Sequence, residues 1–166
     1  MLICANLGND IIEMLPAVHT LTGCDTTSKI SSKKKAFNVK KQVEHKQLQT
    51  FGLGRLDKTI INAAEQFLLK CLPKSSNVKS FDSLRHSTYH TPSFKLNIER
   101  FPCCSSSLRH HIQRAFCECF KIKNWLVPEL CDPIEYGYEL DSDDDLIPVI
   151  TKETRFPSAL CLWKMC

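Results

Sequence analysis

Between Asp57 and Pro73 the sequence reads DKTIINAAEQFLLKCLP, and Ile60, Ile61, Ala64, Phe67, Leu68 and Cys71 recur at the spacing of a single helix face. A stripe of this kind has to be buried against other elements, so it commits the chain to a helical core. Asp57 stands where a helix N-cap belongs, and Pro73 stands where the helix must stop.

A second segment, SSSLRHHIQRAFCECFKIKNWL, repeats the pattern. Ser105, Ser106 or Ser107 can cap it. Leu108, Ile112, Ala115, Phe116, Cys119, Phe120 and the aliphatic stem of Lys123 follow one face, while His110, Arg114, Cys117 and Lys121 share another that is expected to meet solvent or a partner. In NDIIEMLPAVHTL, Asn9 or Asp10 can cap a helix that turns Ile11, Ile12, Met14, Leu15 and Val18 inward. Pro16 lies beyond the first turn of that helix, which predicts an element that is short, kinked or broken. VEHKQLQTFG predicts a short helix ended by Gly52 and Gly54, and SFDSLRHSTY a helix through Phe81, Leu84 and Arg85 toward Tyr89. SKISSKKKAFNVKKQ reads as a surface helix with a thin apolar stripe.

After Pro128 the period changes to two. YGYELDSDDDLIPVIT predicts a β-hairpin in which Tyr136, Tyr138, Leu140, Ile147 and Val149 pack on the helices. Asp141 to Asp145 are expected to stay wet at its tip, on the side away from the lysines. The expected fold class is therefore mainly α, with a small β-hairpin near the C-terminal end.

At 166 residues with 43% hydrophobic and 24% charged composition, the chain can build one domain with a real core. No apolar run approaches the ~20 residues of a membrane span, and MLICANLGND lacks the basic start and apolar centre of a signal peptide, so an intracellular protein, nuclear or cytoplasmic, is expected with no membrane partner. On that reading the ten cysteines are reduced thiols. No CxxC pair is present, and no four-ligand zinc pattern can be assembled from local spacing.

The net charge of +4 conceals a division. Up to Lys123 there are 19 Lys and Arg against 9 Asp and Glu; beyond it there are 3 against 9. Seven lysines fall between Lys29 and Lys46 with only Glu44 opposing them. A basic body with an acidic end suits a polyanion, DNA or RNA, although two solvated faces of opposite sign give the same count.

The remaining question is the turn in HTLTGCDTTSKI, where an acid and several hydroxyls sit between an apolar segment and the lysines. LTGCDTTS resembles the Gly-x-Asp element of flap-endonuclease-type nucleases of the PIN-like superfamily. The resemblance implies Asp25 as a ligand of a divalent metal such as Mg2+, and Lys33, Lys34 and Lys35 as phosphate contacts. Lys29, Lys40 and Lys41 extend that basic set. ISSKKKA departs from the family's glycine-rich hairpin and is shorter, and the other acids of the family's metal site lie upstream of this element. One carboxylate does not hold two metal ions. Asp10 and Glu13 are near in sequence, but they occupy the expected cap and first turn of a helix.

LPAVHTLTGCDTTSKI, SLRHHIQRAF and DPIEYGYELDSDDDLIPVIT together resemble uncharacterised, multi-copy, mobile-element-associated proteins of invertebrates, in which a PIN-like region precedes a cysteine-rich tail. The resemblance implies that residues 1–91 are the helical C-terminal part of a PIN-like α/β nuclease region with basic helices. Residues 92–104 would be a linker, and 105–166 a helix, the acidic hairpin and the start of the tail, ALCLWKMC. It also implies a fragment at both ends, with no complete catalytic site.

Three functions follow as expectations: a nucleic-acid-associated fragment, a non-catalytic helical protein-interaction domain whose Asp25, Thr26 and Thr27 only cap a helix, and a metal-dependent structure-specific nuclease. His19 is expected to be a buried hydrogen-bonding residue rather than a ligand. His110 and His111 are adjacent and cannot chelate together on a helix. His86 and His90 could, but only Asp82 is near them in sequence. Ser28 and Cys24 lack a nucleophile-elbow context.

Overall fold

The computed structural model describes residues 9–32, 36, 46–72, 78–90, 102–126 and 131–151. Its elements are α1 (Asn9–Thr22), α2 (Lys46–Gln49), α3 (Lys58–Cys71), α4 (Phe81–Tyr89), α5 (Ser105–Lys123), a 3-10 turn (Pro133–Tyr136), β1 (Tyr138–Leu140) and β2 (Leu146–Pro148). The two strands pair antiparallel, with Glu139 opposite Ile147. The chain is mainly helical with one small hairpin, as its periodicities predict. None of the described helices is long and apolar enough to cross a membrane.

Two caps behave as local chemistry dictates. The Asp57 carboxylate accepts from the Ile60 amide at 2.8 Å and so satisfies one of the donors left over at the start of α3. The Ser80 hydroxyl does the same for Ser83 at the start of α4. At α5 the expectation fails. Cys104, not a serine, holds the cap position, and the Ser105 amide donates instead to Asp82 on α4, 23 residues earlier in the chain. A carboxylate brought in by the fold thus replaces a local hydroxyl, and it also favours the positive end of the helix dipole.

Pro16 does not break α1, which runs through it for 14 residues. The proline removes one amide donor, and burial of Met14, Ala17, Val18 and Leu21 on either side of it outweighs the loss.

The core lies between α1, α3 and α5, with α2 and α4 closing its sides. Phe51, Phe67, Phe81 and Phe116 are fully buried, and Phe51 meets Phe116 edge to face with ring centroids 5.2 Å apart. The C-terminal half of α5 also satisfies the carbonyls of the chain leaving α2. Lys123 Nζ donates to Gln49, Cys119 Sγ to Phe51, and Asn124 Nδ2 to Gly52. The Lys123 stem therefore lies on the core side, as its place in the stripe predicts.

The hairpin is shorter than its alternation predicts. Tyr136 belongs to the 3-10 turn and stacks on Phe116 at 5.6 Å, while Leu140 is half exposed rather than packed, as is Leu146 across the ladder. In β1 only Tyr138 is half-buried, while Glu139 and Leu140 are exposed. The tip acids stay exposed apart from half-buried Asp141, whose carboxylate accepts from the amides of Asp143 and Asp145 and so shapes the turn. Most of the expected lysine helix, including Lys33, Lys34, Lys35, Lys40 and Lys41, lies outside the described residues.

Candidate functional site

The GCDTTS turn closes the end of α1. Three carbonyls in the last turn of that helix receive donors from elsewhere: Thr20 from the Thr27 hydroxyl at 2.9 Å, Leu21 from His111 Nε2 at 2.8 Å, and Thr22 from the amide of Ile30 at 3.1 Å. The Thr27 hydroxyl also accepts from the Cys24 amide at 3.1 Å. Gly23 makes the reversal possible with φ of +117°, and a Cβ there would lie 2.6 Å from Lys29 Cα. The hydroxyls of the turn could also cap the segment that follows, most of which lies outside the described residues; within them, the turn caps the helix that precedes it.

Within the turn the Cys24 thiol makes hydrogen bonds to the hydroxyls of Thr26 and Thr27. Burial raises its pKa, but these hydroxyls and the neighbouring backbone amides together outweigh that effect and leave it below the ordinary thiol value. The buried Cys119 thiol is pushed the other way, up to about 11, by desolvation. Asp25 and Lys29 are both exposed. Among the described residues, no group of three His, Cys, Asp or Glu side chains could hold a metal ion. The described residues therefore do not furnish the further carboxylates that a magnesium site around Asp25 requires.

The face of α5 expected to meet solvent or a partner is covered by the chain's own C-terminal strap. Arg114 Nη1 donates to the Gly137 carbonyl at 3.1 Å, and the guanidinium stands 5.8 Å over the Tyr138 ring. Cys117 is buried and its thiol points to the Cys131 carbonyl. Lys121 pairs with Glu118 at 2.7 Å on the same helix. Tyr138 in turn donates from its hydroxyl toward the Thr26 carbonyl at 3.5 Å, so the base of the hairpin adjoins the turn. A cavity of about 380 Å³ opens where turn, α5 and hairpin meet, lined by Thr26, Ser28, Ser107, Arg114, Tyr138 and residues 148–151. A second cavity of about 410 Å³ lies between α3 and α5 beside Lys58, Glu65 and Arg109.

The histidines change places with respect to expectation. His19 is exposed, and the buried histidine among the described residues is His111, whose position in a run of two histidines carries no signal of burial beyond the helical register. With Nε2 on the Leu21 carbonyl, the neutral ring leaves Nδ1 buried without a partner among the described residues. His86 and His90 do lie against each other, with centroids 4.4 Å apart on an exposed face.

Burial holds His111 below its usual pKa of 6.5, opposed in part by the Leu21 carbonyl and reinforced by Arg114. The unfolded chain therefore binds this proton more readily than the folded one. The stability that neutral His111 contributes is complete above 6.5 and is lost as pH falls from there toward the lower folded value. Denaturant midpoints measured from pH ~8 down to ~5 are expected to show that decline, and His111→Leu is expected to remove it. An unchanged profile in the variant would assign the decline to other groups.

Compared with protein-family models, with curated proteins and with solved structures, the chain matches none.

Proposed function

We propose that this chain is a nucleic-acid-associated fragment of PIN-like nuclease type, related to the mobile-element-associated proteins it resembles, which holds phosphates without a complete catalytic site of its own. The observation that carries this reading is the concentration of positive charge: seven lysines between Lys29 and Lys46, in a stretch whose first member, Lys29, is exposed. Lysines so placed neutralise backbone phosphates with little regard to sequence. The three segments that carry the resemblance also meet one another, through Leu21 and His111, Arg114 and Gly137, and Thr26 and Tyr138. That meeting supports reading them as one unit.

Binding of a labelled single-stranded or duplex oligonucleotide is expected to weaken by about a thousandfold between 50 and 200 mM salt if some six lysines contact phosphate. Alanine at Lys33, Lys34 and Lys35 together is expected to flatten that slope, while Asp25→Ala leaves it unchanged. A chain that binds neither DNA nor RNA at low salt sinks the proposal. Magnesium-dependent cleavage abolished by Asp25→Ala would replace it with the nuclease reading.

A second reading, a helical protein-interaction domain, is favoured by one specific feature. At the end of α5, Trp125 and Leu126 are 77% and 75% exposed, with Ile122 and Leu53 at 44%. An indole this exposed on a chain with a full core is typical of a contact surface. Trp125→Ser should leave oligonucleotide binding intact if the first reading holds.

A further inference from the structure

We infer that the cavity between the turn, α5 and the hairpin is a binding site for a phosphate group, carried by a small organic molecule and held by Arg114. Neither the lysine cluster nor a nucleic-acid role is needed for this site. What points to it is a charge that lacks a counterion among the described residues.

Arg114 is half-buried, and no carboxylate among the described residues pairs with it, whereas Arg85 pairs with Asp82 and Lys121 with Glu118. Glu118, the nearest acid along the helix, is engaged by Lys121 at 2.7 Å. A guanidinium has five N–H donors in a planar fork, and here the Gly137 carbonyl takes one of them. Its Cζ stands 5.8 Å over the centroid of the Tyr138 ring, and the N–H groups that Gly137 does not take are the part of the fork that can recognise a ligand. Removing such a cation from water without an opposing charge costs free energy, and a bound anion offsets it.

The surroundings select the kind of anion. Thr26, Ser28 and Ser107 line the cavity together with Arg114, and hydroxyl-bearing residues can donate to phosphate oxygens. Pro148, Val149 and Ile150 add apolar lining. At about 380 Å³ the cavity is within the range that holds a small ligand with its polar end fixed by a few groups. A phosphomonoester with a flat or apolar body suits this mixed lining.

A phosphate of that kind comes either from a free small molecule or from the end of a nucleic-acid strand, and the test separates them. Titration of the whole chain with inorganic phosphate, with adenosine 5′-monophosphate and with a 5′-phosphorylated oligonucleotide is expected to give saturable binding, followed by calorimetry or amide chemical shifts at α5 and the hairpin. Adenosine lacking the phosphate should not bind.

Arg114→Gln is expected to weaken the mononucleotide by about tenfold or more. Because Arg114 also ties down Gly137, a second variant keeps the test independent of folding. Ile150 is 78% exposed at the cavity, so Ile150→Glu leaves the core untouched while opposing an anion, and Ile150→Lys should tighten binding where Ile150→Glu weakens it. Saturation by the mononucleotide, with no advantage for the phosphorylated strand, assigns the site to a small molecule. Competition by the strand at far lower concentration assigns it to a strand end; both support a phosphate site. No saturable binding of any phosphate probe up to about 10 mM, or equal binding by wild type, Arg114→Gln and Ile150→Glu, overturns it.

Discussion

Phe116→Ala is expected to cost about 3–5 kcal/mol of folding stability, the range for deleting a buried aromatic ring. The ring is fully buried and holds two parts of the molecule at once. On one side Phe51 approaches it edge-on at 5.2 Å, which ties the turn after α2 to α5. On the other, Tyr136 stacks on it at 5.6 Å with an interplanar angle of 11°, which anchors the strap leading to the hairpin. Alanine would leave a cavity under both contacts and forfeit the aromatic pairing beyond the lost area. Against a total stability on the order of 5–15 kcal/mol, such a loss brings the domain close to unfolding at ordinary temperature. Urea denaturation followed by circular dichroism measures it. A loss below about 1 kcal/mol would mean that the ring is not at the centre of the core.

Gly52→Ala is expected to cost roughly 2–5 kcal/mol, from two independent causes. The backbone there has φ of +80°, a conformation that costs an L residue about 1–2 kcal/mol. A Cβ would also lie 2.7 Å from Cys119 Sγ and 2.8 Å from the Cys119 carbonyl carbon, on a helix whose far side is packed. The backbone atom cannot rotate away, so α5 or the turn must shift, and overpacking of this kind adds about 1–3 kcal/mol. For a domain of this length each kcal/mol lowers Tm by about 2–4 °C. Gly54→Ala is the control: its φ is +63° but nothing lies within 4 Å of a Cβ there, so only the conformational cost applies. Equal losses at the two glycines would show that the approach of Cys119 contributes nothing.

The residues of the candidate site were legible in the sequence, but not the use the fold makes of them. The turn stood out because hydroxyls, a glycine and an acid crowd into a few positions, and such residues bond to backbone. Which backbone they bond to is not encoded in that crowding. Thr27 faces the carbonyl of Thr20 rather than the start of a following helix because Gly23 reverses the chain over the end of α1. Arg114 could be placed on a helix face by counting, but its cavity exists only because Gly137 and Tyr138 fold back onto that face.

What the sequence by itself determined is whatever depends on neighbours a few positions away. The stripe and Asp57 cap of α3, the Ser80 start of α4, the core face of α5 and the acid-tipped hairpin all rest on periodicity or on a side chain reaching an amide about three residues on. What only the tertiary structure decided depends on pairs far apart in the chain. Asp82 caps α5 across 23 residues, and His111 is buried by a carbonyl 90 residues earlier. Pro16 remains inside a helix because the residues around it are buried against α5, although its local preference is to end one. Local preferences are worth about 1 kcal/mol each, whereas burying a whole helix face is worth several times that, so where the two conflict the packing prevails.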